Sequence, residues 1–160
     1  MDFMKRLLIA PLLLAMSSPA LADYYTNKLD PMTDERVINV VLYSREAPRI
    51  ALQVTCNGGN VYAGLRTDSV LDSRDVTVRW DNEKPIEYFW NKSKDLTYFY
   101  MGFNGYTGRK QANRYVKEFR EHSSMLVRFG TYMDGTKTVR FDLEKMHPRL
   151  DRAESEGCAF

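Results

Sequence analysis

Few side chains in this sequence could do chemistry. There are 2 cysteines, Cys56 and Cys158, and 2 histidines, His122 and His147. A hydrolase needs a nucleophile, a base and an orienting group held together. His122 stands beside Ser123 and Ser124 at the end of a predicted helix, with no obvious partner that would activate it as a base. A charged group favouring a helix C-terminus accounts for it fully. His147 precedes Pro148 and reads as a surface residue. Two cysteines and two remote histidines lack the spacing of a metal centre. No spacing singles out a pair of carboxylates for acid–base work. The expectation is a protein with no catalytic residue, no metal and no cofactor.

The cysteines speak instead of compartment. The chain opens with the short basic region Lys5-Arg6, followed by an apolar run from Leu7 to Met16 and then Ala20-Leu21-Ala22. This three-part pattern predicts a bacterial-type secretory leader over residues 1–22, cut between Ala22 and Asp23. The apolar run is about half the roughly 20 residues a membrane span needs, so no integral membrane segment is expected after cleavage. What remains, residues 23–160, is the length of one ordinary domain. The whole chain carries a formal charge of +2, and the leader removes Asp2, Lys5 and Arg6 from it. So balanced a chain lacks the basic excess of a nucleic-acid binder. An even number of cysteines in an exported chain reads as one disulfide, Cys56 to Cys158. Closing a loop of about 100 residues is worth up to about 4.7 kcal/mol in the chain-entropy model. The expected location is the periplasm, or the medium beyond it.

The strands that must position these residues are read from period-two patterning. Ile50, Leu52, Val54 and Cys56 alternate with Ala51, Gln53 and Thr55, which predicts a half-buried strand ending on the cysteine. Val37 to Tyr43 precedes it, after an irregular lead-in from Asp23 to Asp34 in which Pro31 blocks regular pairing. Asn57-Gly58-Gly59-Asn60 supplies a tight hairpin turn into Val61 to Arg66. Thr67 to Arg74 reads as a polar loop, and Val76, Val78 and Trp80 as the next strand. Ile86, Tyr88 and Trp90 form a further inward series, and Leu96 to Met101 a sixth strand. Then the period changes. Ala112, Tyr115, Val116 and Phe119 make a helical stripe. Met125 to Phe129 and Val139 to Phe141 flank an Asp134-Gly135 turn. Leu143, Met146, Leu150 and Ala153 predict a C-terminal helix, kinked or broken by Pro148. The fold expected is mainly β: an antiparallel β-sandwich or partly closed barrel with one inserted helix and a C-terminal helix.

Several stretches together resemble a known family. They are Asp30-Pro31-Met32-Thr33-Asp34, Leu52-Gln53-Val54-Thr55-Cys56 ahead of an Asn/Gly turn, and Val76-Thr77-Val78-Arg79-Trp80-Asp81. Val139-Arg140-Phe141-Asp142-Leu143, followed by Cys158, completes the set. The sequence so resembles the VasI-like family of small exported proteins associated with type VI secretion clusters and also found in prophages. It departs at His147-Pro148 and in the aromatic-glycine loop before Arg109. The resemblance implies a periplasmic accessory role and supplies no chemistry.

One feature remains unexplained by packing alone. Tyr88, Phe89, Trp90, Tyr98, Phe99, Tyr100, Phe103 and Tyr106 crowd a short stretch. If residues 86–101 form a hairpin, both of its faces are aromatic, and core packing uses only one. The stripe of Tyr115, Val116 and Phe119 could cover the second; otherwise it is an exposed patch of the residue types enriched at binding hot spots. The candidate partner-binding residues are Tyr98, Tyr100, Phe103, Tyr106 and Arg109. These readings point to a non-enzymatic interaction protein with a protein partner in the bacterial envelope, serving an envelope machine or a prophage function such as superinfection exclusion. The alternative is an inhibitor or immunity protein against a periplasmic enzyme.

Overall fold

The computed structural model describes residues 23–102 and 108–160, so the predicted leader up to Ala22, and Phe103 and Tyr106, lie outside the described residues. In chain order the strands are β1 (Tyr24–Leu29), β2 (Arg36–Tyr43), β3 (Ala51–Asn57), β4 (Asn60–Arg66), β5 (Leu71–Trp80) and β6 (Ile86–Phe89). Then come β7 (Asn91–Lys92), β8 (Tyr98–Tyr100), α1 (Arg109–Glu121), β9 (Ser124–Thr131), β10 (Gly135–Asp142) and α2 (His147–Ser155). They build two antiparallel sheets, β1-β2-β3-β4-β8-β7 and β10-β9-β5-β6, packed as a β-sandwich.

The alternation along each strand decides which face is buried. Leu52, Val54 and Cys56 of β3 point inward beside Ile38, Val40 and Leu42 of β2 and Val61, Ala63 and Leu65 of β4. Facing them are Val76, Val78 and Trp80 of β5, Met125, Val127 and Phe129 of β9, and Val139 and Phe141 of β10. Phe99 and Phe129 meet edge to face across the two sheets, with centroids 5.9 Å apart. Helix α1 buries the expected stripe, Ala112, Tyr115, Val116 and Phe119, against β4. Helix α2 lays Leu150 and Ala153 against the core beside β2.

Two hairpins follow the turn chemistry. Asn57 pairs with Asn60, and Gly58 and Gly59 take the positive φ values of 54° and 82° that this tight turn requires. Gly135, at φ 67°, begins β10 after Asp134.

Elsewhere the chain departs from the sequence reading. The supposedly irregular lead-in is strand β1, paired from Tyr24↔Val41 to Leu29↔Arg36, because Pro31 falls in the turn and not in the strand. Strand β5 begins at Leu71, inside the expected polar loop; a register irregularity between Leu71 and Val76 lets the buried Leu71 join the sheet across a polar run. The aromatic stretch is not one hairpin. β6 pairs with β5, whereas β8 pairs with β4 in the opposite sheet. The chain changes sheets at Trp90, whose fully buried ring packs against Phe99 and Tyr115. Ile86, expected to point inward, is 43% exposed on edge strand β6. The sixth strand shrinks to Tyr98–Tyr100, since Leu96 turns the chain at φ 58°. The terminal helix is split into a 3-10 turn at Leu143–Lys145 and α2, with Pro148 in the first turn of α2, where its missing N–H costs nothing.

The tail is fastened by a covalent bond and by polar contacts. Cys56 and Cys158 are disulfide-bonded, with Cα atoms 5.8 Å apart. Beside that bond, the Tyr25 hydroxyl donates to Glu156 Oε2 at 2.7 Å, Asn27 Nδ2 donates to the same oxygen, and Arg152 Nε donates to Oε1 at 2.8 Å. These three donors hold the Glu156 carboxylate down at a pKa of about 2, the Arg152 hydrogen bond contributing most. The disulfide fits an oxidising, extracytoplasmic compartment. Among the described residues no helix is long and apolar enough to cross a membrane.

Candidate functional site

The outer face of the six-stranded sheet carries the candidate site. Side chains opposite the core alternate out from β3 as Gln53 and Thr55, and from β4 as Tyr62 and Arg66, with Gly64 between. β8 adds Tyr98 and Tyr100. In register, Thr55 lies opposite Tyr62, Gln53 opposite Gly64, and Gly64 opposite Tyr100. Gly64 therefore leaves a notch in the middle of the row. A Cβ there would collide with the Tyr98 phenol, which lies in the notch. Tyr98 and Tyr100 meet edge to face at 5.0 Å. Gln53, Thr55, Tyr62, Tyr98 and Tyr100 line an open groove of about 550 Å³.

The groove floor is pre-organised. Gln53 Nε2 donates to Asn39 Oδ1 at 3.1 Å and to Thr55 Oγ1 at 2.9 Å. Thr55 Oγ1 donates to Asn39 Oδ1 at 2.8 Å, and Asn39 Nδ2 donates onward to Thr26 Oγ1 at 3.3 Å. Reversing the Gln53 amide would set two carbonyl oxygens together, so this network fixes its orientation. Both amide hydrogens are used, which leaves the Gln53 carbonyl oxygen as its open acceptor. Tyr62 is 40% and Tyr100 38% exposed. Burial, and then the neighbouring Tyr100, push the Tyr98 phenol above its usual range, so it stays neutral. No formally charged side chain lines the groove.

Two other polar clusters have catalytic residue types in non-catalytic arrangements. His122 Nδ1 contacts Asp81 Oδ2 at 3.0 Å, and its Nε2 lies 3.3 Å from Glu118 Oε2. Ser124 Oγ donates to Asp81 Oδ1 at 3.2 Å, so the carboxylate stands between serine and histidine. A catalytic triad requires the imidazole in that middle place. Burial disfavours the imidazolium, but the hydrogen bond and charge of Asp81, aided by Glu83 and Glu118, raise the His122 pKa. The ring also stacks on Trp80 at 5.3 Å, which makes this a capping cluster that joins the end of α1 to β5. The second cluster sets Lys137 Nζ 2.9 Å from Ser69 Oγ, the contact of a serine–lysine pair. Asp68 at 2.8 Å and Asp134 at 3.0 Å flank the same ammonium. The Asp68 hydrogen bond, against burial and with help from Asp134, raises the Lys137 pKa and favours the ammonium that the two carboxylates flank. His147 Nε2 contacts the Phe119 carbonyl oxygen at 2.7 Å and ties α2 to α1. Among the described residues, no group of three His, Cys, Asp or Glu side chains could hold a metal ion.

Of the residues singled out from sequence, the structure brings Tyr98 and Tyr100 together in the groove. Arg109 is placed elsewhere: its Nη2 donates to the Ala159 carbonyl at 3.2 Å and fastens α1 to the tail. Phe103 and Tyr106 lie outside the described residues. The stripe of Tyr115, Val116 and Phe119 covers the Trp90 side of the aromatic stretch and leaves the Tyr98–Tyr100 side open. Sequence reasoning did not single out Tyr62, Gln53 and Thr55. Their only signal was position: they occupy the polar phase of two strands already identified, flanking a glycine.

Compared with protein-family models, with curated proteins and with solved structures, the chain matches none.

Proposed function

We propose that this chain is an exported, non-enzymatic recognition module that works in the periplasm through the tyrosine-lined outer face of its larger sheet. One observation carries the reading. Tyr62, Tyr98 and Tyr100 gather in an open groove, whereas Tyr88, Trp90, Phe99, Tyr115 and Phe119 pack in or against the core, and the exposed Phe89 ring lies under Arg74. Exposed aromatic side chains on a rigid sheet provide large contact area at small entropic cost, which suits a binding surface. The VasI-like resemblance supports an accessory role for an envelope machine or a prophage-related function, superinfection exclusion included. The cysteine bridge supports an oxidising compartment.

The test is affinity capture from an envelope extract with the mature chain and a Tyr62→Ala/Tyr100→Ala variant of equal thermal stability. Loss of specific species from the variant supports the reading. Identical recoveries overturn the assignment to this face. Recovery of a hydrolase in a tight one-to-one complex, retained by the groove variant, would select an inhibitor or immunity protein instead.

A further inference from the structure

We infer that the groove between Tyr62 and Tyr100 binds a neutral, β-linked N-acetylhexosamine oligosaccharide. This rests on the recognition reading above and names the ligand chemistry the groove accepts. Four observations lead to it.

The groove is uncharged. Its lining consists of three phenols, an amide and a hydroxyl, so the lining itself offers no ion pair, and Arg66, the nearest charge on β4, is directed to the Tyr43 hydroxyl. Its volume, about 550 Å³, falls within the range of roughly 300–1,000 Å³ typical of small-molecule sites.

Its hydrogen-bonding groups are unequal in kind. The hydroxyls of Tyr25, Tyr43 and Tyr115 all have partners within the protein. Those of Tyr62, Tyr98 and Tyr100 have no hydrogen-bond partner among the described residues. Three phenol hydroxyls therefore line one groove with an open acceptor, the Gln53 carbonyl. The complement is a ligand with several oxygen acceptors and an N–H. An acetamido sugar has both, in its ring hydroxyls, acetyl carbonyl and amide N–H.

Its apolar surface is aromatic. The rings of Tyr62 and Tyr100 stand on the paired strands β4 and β8, with Gly64 of β4 across from Tyr100, and each is more than a third exposed. Pyranose rings with equatorial substituents present C–H faces that pack on the electron-rich face of an aromatic ring.

The floor is rigid. The Gln53–Thr55–Asn39–Thr26 chain is complete before any ligand arrives, so little ordering is needed on binding.

Isothermal titration with chitotetraose, and with cellotetraose as the analogue lacking acetamido groups, tests the inference on the mature chain. Saturable binding of chitotetraose is expected, with cellotetraose weaker by about tenfold. Tyr62→Ala and Tyr100→Ala should each weaken chitotetraose binding about tenfold with unchanged melting temperature, and Gln53→Leu should abolish the preference over cellotetraose. Absence of saturable heat at millimolar chitotetraose, or equal affinity in all variants, overturns the inference. If binding to chitotetraose fails yet envelope capture still depends on Tyr62 and Tyr100, the glycan is wrong and the recognition face stands. If neither depends on these tyrosines, both fall.

Discussion

The indole Nε1 of Trp90 donates to the hydroxyl of Tyr115 at 2.8 Å, and that hydroxyl donates in turn to the Gly102 carbonyl at 3.2 Å. Both side chains are fully buried. The point at which the chain leaves one sheet for the other is thereby bonded to the middle of α1. Tyr115→Phe keeps the ring and strips the acceptor, leaving a buried N–H without a partner. The expected loss is about 1–3 kcal/mol of unfolding free energy, read by urea denaturation. An unchanged midpoint would show that the packing of Trp90 suffices without the hydrogen bond.

The disulfide makes the second prediction. Cys56 and Cys158 are 102 residues apart in sequence and close the β3 end onto the tail. Cys158→Ala should cost about 2–5 kcal/mol, and reductant should bring the wild type to the same midpoint. The variant should ignore reductant.

His122 predicts a fall in stability on the alkaline side. Its folded pKa is raised above the ordinary 6.5, where burial is outweighed by the hydrogen bond and charge of Asp81. The contribution is fully present below about pH 6.5 and is lost as pH rises through the folded value. Melting temperature should decline across that window in the wild type and be flat in His122→Gln. Parallel curves would remove His122 as the source.

Glu156 predicts the opposite limb. Its folded pKa of about 2 lies below the ordinary 4.5, so its stabilisation is present above about 4.5 and disappears as pH falls towards 2. Glu156→Gln should lose this part of the acid dependence. Hydrogen exchange of the β1 amides should quicken with acid in the wild type and show no added acid sensitivity in the variant.

Gly64 predicts a change of shape. Gly64→Ala places a methyl where the Tyr98 phenol lies, so the ring must leave the notch. Overpacking of this kind costs about 1–3 kcal/mol. Groove-dependent capture should fall with it, while Gly59→Ala, strained by its positive φ but with open space around it, should cost stability and leave capture intact.

What could be read from sequence was whatever repeats over a short distance. The alternation from Ile50 to Cys56, the Asn57–Asn60 turn and the Ala112-Tyr115-Val116-Phe119 stripe are all local, and each forms as its period predicts. The partner of β8 was not local. Whether Tyr98 pairs across to Tyr88 or to Arg66 depends on where Trp90 finds enough neighbours to bury an indole, and no window of residues contains that choice. β1 was hidden for a related reason: Tyr25 and Asn27 turn inward to meet Glu156 of α2, so its inward side is polar and shows no hydrophobic period. At the site, Tyr98 and Tyr100 stood out because they were dense in sequence. Tyr62 did not, because one tyrosine on the outer phase of a strand looks like any solvent-facing residue until β8 is seen to bring Tyr98 and Tyr100 beside it.

The bond between Cys56 and Cys158 also sets an order of events. Cys56 is made early, and its mate is 102 residues further along the chain. Until synthesis has reached Cys158, β3 carries a lone thiol. The sheet can therefore assemble ahead of its lock, which closes only once Cys158 has been made and an oxidant is at hand.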